Sequence, residues 1–122
     1  MNKEEVANIG FEIVAYSGDA RSKLLLALKD AKTGNLGECD KLIAEAKELL
    51  ADAHRVQFDL LSREAKGETA ELGFIMVHAQ DHLMTTLLLA DIITTLLTST
   101  ARRASAQKRW RQHQVQDFPL YV

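Results

Sequence analysis

The sequence predicts an all-α fold, an up-down-up antiparallel bundle of three helices. Three observations predict it. The only proline among 122 residues is Pro119, so nothing breaks a helix before the last few positions. Apolar residues recur every three to four positions through most of the chain, the period of a helix face. Glycines cluster at only two internal places, TGNLG at 33–37 and the stretch from Gly67 to Gly73. They divide the chain into three long segments rich in Ala, Leu, Glu and Lys, which are strong helix formers.

The first helix is expected over about Lys3–Lys32. Asn2 and Glu5 have the spacing of a capping box. Val6, Ile9, Ile13, Tyr16, Ala20, Leu24, Ala27 and Ala31 form its apolar stripe. The second is expected over about Leu36–Lys66, with Gly67 as its stop. Its stripe is Cys39, Leu42, Ile43, Ala46, Leu49, Leu50, Ala53, Val56, Leu60 and Leu61, opposite a charged face. The third starts between Thr69 and Gly73 and runs to about Thr100 or beyond. Short connections make sequential helices antiparallel neighbours.

Charge is unevenly spread. Residues 1–100 carry ten Lys/Arg against sixteen Asp/Glu, a net of −6, and residues 101–122 carry five against Asp117, a net of +4. An acidic body argues against nucleic acid as its partner, because phosphate binding needs clustered positive charge. The reading divides the chain into a helical domain, 1–103, and a basic tail, 104–122. The tail contains Trp110, Phe118, Pro119 and Tyr121. It can extend the helix, dock on the bundle or be disordered, and a poorly ordered terminus is the expectation. One cysteine, Cys39, cannot form an intramolecular disulfide and points to a reducing compartment. The first ten residues, MNKEEVANIG, lack the apolar core of a signal peptide.

The third helix is the unusual one. Between Phe74 and Leu97 its only formally charged side chains are Asp81 and Asp91. Leu83–Ala101 is long enough to span a bilayer. However, Asp91 sits at its centre and Thr fills positions 85, 86, 94, 95, 98 and 100, so a buried soluble helix is expected and no transmembrane span. Two partner helices cannot cover a helix that is apolar nearly all round. Self-association through the third helix is the simplest remedy, with closed cyclic symmetry.

His78, Asp81 and His82 interrupt this apolar pattern near its start. With His78 at 0° on a helical wheel, Asp81 falls at about 300° and His82 at about 40°. Three readings of the cluster stand. The groups are core polar residues that fix register. They form a metal site, since His at i and i+4 places two imidazoles on one cation and Asp adds a ligand. Or one histidine is a nucleophile that accepts and passes on a phosphoryl group, with its polar neighbours orienting it. His54 reads as a surface or packing residue, His113 as an exposed one, and Cys39 as a small core hydrophobe. GDARSK at 18–23 is not a phosphate-binding loop, and no nucleophile elbow or CxxC occurs.

HAQDHLMTTLLLADII at 78–93, GFEIVAYSGDARSKLLLALKDAKTGN at 10–35 and EAKELLADAHRVQ at 45–57 carry a resemblance. Together they resemble the lactose/cellobiose-specific enzyme IIA family of the bacterial sugar phosphotransferase system, over roughly residues 3–100. The resemblance implies a cytoplasmic three-helix protein that assembles as a homotrimer. It implies a phosphocarrier that takes a phosphoryl group from HPr and passes it to a cysteine of enzyme IIB, which phosphorylates the sugar as IIC transports it. The family's phosphorylated histidine falls on His78. The carboxylate that binds a structural divalent metal at the trimer axis, Mg being the expected ion, falls on Asp81. Gln80 and His82 fall in the surrounding motif with supporting roles. No nucleotide or organic cofactor is implied. The competing function is a non-catalytic helical oligomer that binds metal through His78, Asp81 and His82. The sugar is left open among lactose, cellobiose, chitobiose and related disaccharides.

Overall fold

In the computed structural model residues 1–117 are described, apart from the side chains of Arg102 and residues 114–117. Phe118, Pro119 and Tyr121 of the tail lie outside the described residues. Three α-helices and no strand occur among the described residues: α1 (Lys3–Lys32), α2 (Leu36–Ala65) and α3 (Phe74–Asp117).

The ends of the first two helices follow local chemistry. Asn2 caps α1: its side chain accepts from the Glu5 N–H at 2.9 Å, and the Glu5 carboxylate accepts from the Asn2 N–H at 2.9 Å. That pair is the expected capping box. Gly34 (φ +85°) ends α1 and Gly67 (φ +97°) ends α2, both in the left-handed region that glycine enters without a Cβ clash. In each case the following N–H closes on a carbonyl five residues back, Asn35 on Asp30 at 2.9 Å and Glu68 on Arg63 at 3.1 Å. The chain start is fastened to the α2–α3 connection. The terminal ammonium donates to the Thr69 carbonyl at 2.7 Å, and the Glu71 N–H to the Met1 carbonyl at 3.2 Å.

The chain divides into two units, residues 1–91 and residue 92 onward. In the first, α1, α2 and the start of α3 share one core. Its buried positions step by three and four: Val6, Gly10, Ile13, Ser17, Ala20, Leu24 and Ala27 on α1; Cys39, Leu42, Ala46, Leu50 and Ala53 on α2; Met76, Ala79, Leu83, Thr86 and Ala90 on α3. Such spacing keeps one seam facing its neighbours over many turns. Cross-helix contacts fix the directions. Lys23 pairs with Glu45 at 3.2 Å between α1 and α2, and the side chain of Gln57 on α2 donates to that of Gln80 on α3. Both pairs straddle their connecting turns symmetrically, as antiparallel neighbours must.

α1 and α3 approach closely at Gly10. A Cβ there would lie 3.1 Å from Ile75 Cγ2 and 3.3 Å from the Ile75 carbonyl oxygen, so a larger side chain forces the helices apart. Gly10→Leu is expected to lower the unfolding free energy by about 1–3 kcal/mol. An unchanged urea midpoint would show that the contact yields freely. Ser17 is the buried hydroxyl of this seam, and it is satisfied by donating to the Ile13 carbonyl at 2.6 Å.

α3 passes position 103 without a break and continues to Asp117, the helical extension that the sequence left open beside a poorly ordered terminus. By length and composition it could cross a membrane. Within the bundle, Met76, Ala79, Leu83, Thr86 and Ala90 of this helix are buried on one side. The rest of its circumference is not covered: Phe74, Val77, Met84 and Leu88 are exposed at 93, 58, 56 and 59%. This is the uncovered apolar surface that the sequence predicted for an isolated chain.

Candidate functional site

The first turns of α3 carry the site. On a helical wheel the exposed apolar residues Phe74, Val77, Met84 and Leu88 fall between about 240° and 320° from His78. Asp81 lies within that stripe and is itself exposed. His78 borders the stripe, and His82 stands between it and the buried face.

His78 is exposed and His82 half-buried. Their rings meet edge to face, with centroids 4.5 Å apart and planes at 67°. One turn on, Thr85 donates to the Asp81 carbonyl at 2.6 Å. That bond ties the hydroxyl to the backbone and leaves the Asp81 carboxylate unused. Neither histidine nor Asp81 takes part in a side-chain ion pair among the described residues. Among the described residues, therefore, no carboxylate orients either imidazole. Among the described residues the buried Nδ1 of His82 and the buried hydroxyls of Thr86 and Thr94 lack hydrogen-bond partners. Buried polar atoms left unpaired are uncommon. An open hollow of about 520 Å³, lined by Phe74, Ile75, Val77, His78 and Asp81, gives access to the exposed imidazole.

Gln80 is placed differently from His82. Its side-chain carbonyl accepts from Gln57 on α2, and its amide NH2 lies 3.4 Å from the Met76 sulfur. These bonds turn the group into the α2–α3 groove, away from His78 of the same chain. Gln57 carried no signal of its own in the sequence. Only the antiparallel pairing across the 66–73 connection sets it opposite Gln80.

The metal reading of the His78/Asp81/His82 cluster fails within one chain. Among the described residues no group of three His, Cys, Asp or Glu side chains is arranged to hold a metal ion. The physical reason lies in the geometry above: the imidazoles meet edge to face, and Asp81 lies about 100° around the helix from His82. His54 is exposed and lines a separate hollow with Lys47, Leu87 and Asp91, apart from the histidine pair. Cys39 is buried in the core, as expected. Burial, reinforced by Asp40 and Asp30, pushes its thiol above the ordinary range, which disfavours the nucleophilic thiolate.

Residues 8–100 match the family described as "PTS system, Lactose/Cellobiose specific IIA subunit". The chain belongs to this family. The lactose-specific EIIA component of Staphylococcus epidermidis is 54% identical over 97 residues, covering 80% of this chain and 93% of that protein. Its counterpart from Lactococcus lactis subsp. lactis is 52% identical over 104 residues, covering 85 and 99%. Among solved structures, the cellobiose-specific enzyme IIA of Bacillus anthracis superposes with a TM-score of 0.74 at 34% identity, covering 80% of this chain and 90% of that one. PtcA from S. mutans superposes with a TM-score of 0.77 at 40% identity, covering 80 and 96%. The three-helix architecture is thus that of IIA proteins of the phosphotransferase system. The matched segment contains His78, Asp81 and His82 but stops before the basic end of α3.

Proposed function

We propose that this chain is a cytoplasmic IIA phosphocarrier that receives a phosphoryl group on His78 from phosphorylated HPr and passes it to a cysteine of IIB. The observation that carries this reading is an exposed imidazole, paired with no acid among the described residues, at the mouth of an open hollow on the family's helical scaffold. A nucleophile that must meet two protein partners in turn has to be accessible from outside.

In the first transfer, the lone pair of a neutral His78 nitrogen attacks phosphorus. The N–P bond of the donor histidine breaks, and the electron pair returns to the donor imidazole. In the second, the thiolate of IIB attacks the same phosphorus and His78 leaves as a neutral imidazole. Such transfers need positioning and charge stabilisation more than covalent help. His82, edge-on to His78, limits the ring's rotation and supplies a polar neighbour for the phosphoryl oxygens. Gln80 of the same chain points elsewhere. A supporting role for Gln80 therefore requires a neighbouring subunit to bring it to the site.

The proposed assembly is a homotrimer built on the exposed stripe of α3. Phe74, Val77, Met84 and Leu88 supply apolar surface that burial would stabilise, and larger exposed patches of this kind mark association sites. Closing three copies on this stripe brings three Asp81 carboxylates together. A divalent cation, Mg by its preference for carboxylate oxygen, fits there because Asp81 has no ion pair of its own. When bound, the ion neutralises the facing carboxylates and holds the assembly; the phosphoryl transfer runs on His78. The sugar of the associated IIB and IIC is lactose, cellobiose, chitobiose or a related disaccharide.

Incubation with phosphorylated HPr is expected to add one acid-labile phosphoryl group per chain, which is lost again on adding IIB. An intact mass that stays unchanged beside a competent IIA control would overturn the reading.

A further inference from the structure

The family match ends at residue 100, yet α3 continues to Asp117. Positions 102–111 read RRASAQKRWR, in which five of ten side chains are cationic. Arg103, Lys108, Arg109 and Arg111 are all exposed, and none makes an ion pair among the described residues. Relative to Arg103, the other three lie at about 140°, 240° and 80° around the helix, so the positive charge covers most of the circumference and leaves a sector of about 120° that holds Ala106 and Trp110. A helix charged over most of its surface has no broad apolar face for packing into a protein core, while the narrow sector with Trp110 can face a bilayer interface. Trp110, 62% exposed, is the only aromatic residue between 101 and 117.

We propose that this basic helix is a docking segment for an anionic bilayer surface, held by lipid headgroup phosphates with Trp110 seated at the interface. Clusters of four to eight Lys/Arg are attracted to anionic leaflets, and tryptophan prefers the headgroup level. The family's transport role gives such docking a purpose, because the sugar it handles crosses a membrane. Nucleic acid fits less well. One aromatic residue offers little base stacking, and residues 1–100 carry a net charge of −6 that repels phosphate backbones. The proposal rests on the exposed basic helix and on family membership, and does not depend on phosphorylation of His78. In the proposed homotrimer three such helices would bind together, raising avidity.

Trp110 is the only tryptophan in the chain, so its emission reports directly on this segment. The experiment titrates the full chain with phosphatidylcholine vesicles, with and without phosphatidylglycerol, and follows both co-sedimentation and Trp110 emission. The expected result is binding with a blue shift on the anionic vesicles only, lost at about 0.5 M salt. Replacing Arg103, Lys108, Arg109 and Arg111 together with Gln in the full chain is expected to weaken binding about a hundredfold or more, since each charge contributes about fivefold near an anionic surface. Circular dichroism of that variant confirms that the helices remain. Absence of binding to the anionic vesicles would overturn the proposal, as would equal binding to neutral ones. So would a quadruple variant that binds like the wild type, or tighter binding to duplex DNA than to anionic vesicles at the same salt.

Discussion

His78→Ala is expected to accept no phosphoryl group from phosphorylated HPr, a loss of at least about a thousandfold in transfer rate, because removing a nucleophile leaves no atom to form the bond. The substitution is a clean one. His78 is exposed, so its removal opens no core cavity, and alanine is the better helix former at an exposed helical position. Circular dichroism and the thermal midpoint should stay close to wild type while phosphorylation disappears. His82→Ala separates nucleophile from neighbour. It should keep the ability to accept phosphate but react about tenfold to a hundredfold more slowly, the range for losing a polar group that stabilises developing charge. Equal losses in both variants would mean that the two imidazoles act as one unit. Wild-type phosphorylation of His78→Ala would move the nucleophile elsewhere.

Met84→Asp is expected to abolish self-association. Met84 is 56% exposed in the single chain and lies in the stripe between Val77 and Leu88. In an assembly built on this stripe it becomes part of an apolar contact close to the axis. An aspartate there would bury an unpaired charge, and three copies would add mutual repulsion to that already present at Asp81. Dissociation should be complete at micromolar concentration, with sedimentation equilibrium changing from three chains to one. Because the side chain is exposed in the isolated subunit, the helices themselves should remain. An unchanged assembly mass would place the interface on a different face of the bundle. Chelation of divalent cations should weaken the wild-type assembly in the same direction but less, since the apolar stripe survives it.

Much of the fold was legible in the sequence. The capping box at Asn2 and Glu5, the glycine stops at Gly34 and Gly67, and the span of α1 follow from local rules, which depend on a few neighbouring residues. The core was read less well where size mattered more than polarity. Gly10 and Ser17 are buried in α1, whereas the apolar pattern favoured Ile9 and Tyr16, which are half-buried. A glycine adds no hydrophobic signal, yet its lack of a side chain lets Ile75 approach. Ser17 hides its hydroxyl in a bond to its own helix. Leu61 is 52% exposed although it follows the apolar period of α2, because periodicity finds a face but not where its neighbour ends.

The site was legible in part for the same reason. The i, i+4 spacing of His78 and His82 sets their rings side by side on any regular helix, and the rings are 4.5 Å apart. Spacing does not give ring orientation, so it could not tell a converging metal pair from an edge-to-face pair. Nor could it reveal that Gln80 is tied to Gln57, a partner 23 residues away. The continuation of α3 to Asp117 was open on composition, because a polybasic Ala, Arg, Lys and Gln segment has helical propensity but no apolar face to hold it.

The most direct measurement is residue-level localisation of the phosphoryl group on the wild-type chain after reaction with phosphorylated HPr, using tandem mass spectrometry under alkaline conditions that preserve phosphohistidine. The predicted result is a single modified residue, His78, with His54, His82 and His113 unmodified. Phosphate on any of those three instead, or on none of the four, would contradict the assignment of His78 as the carrier.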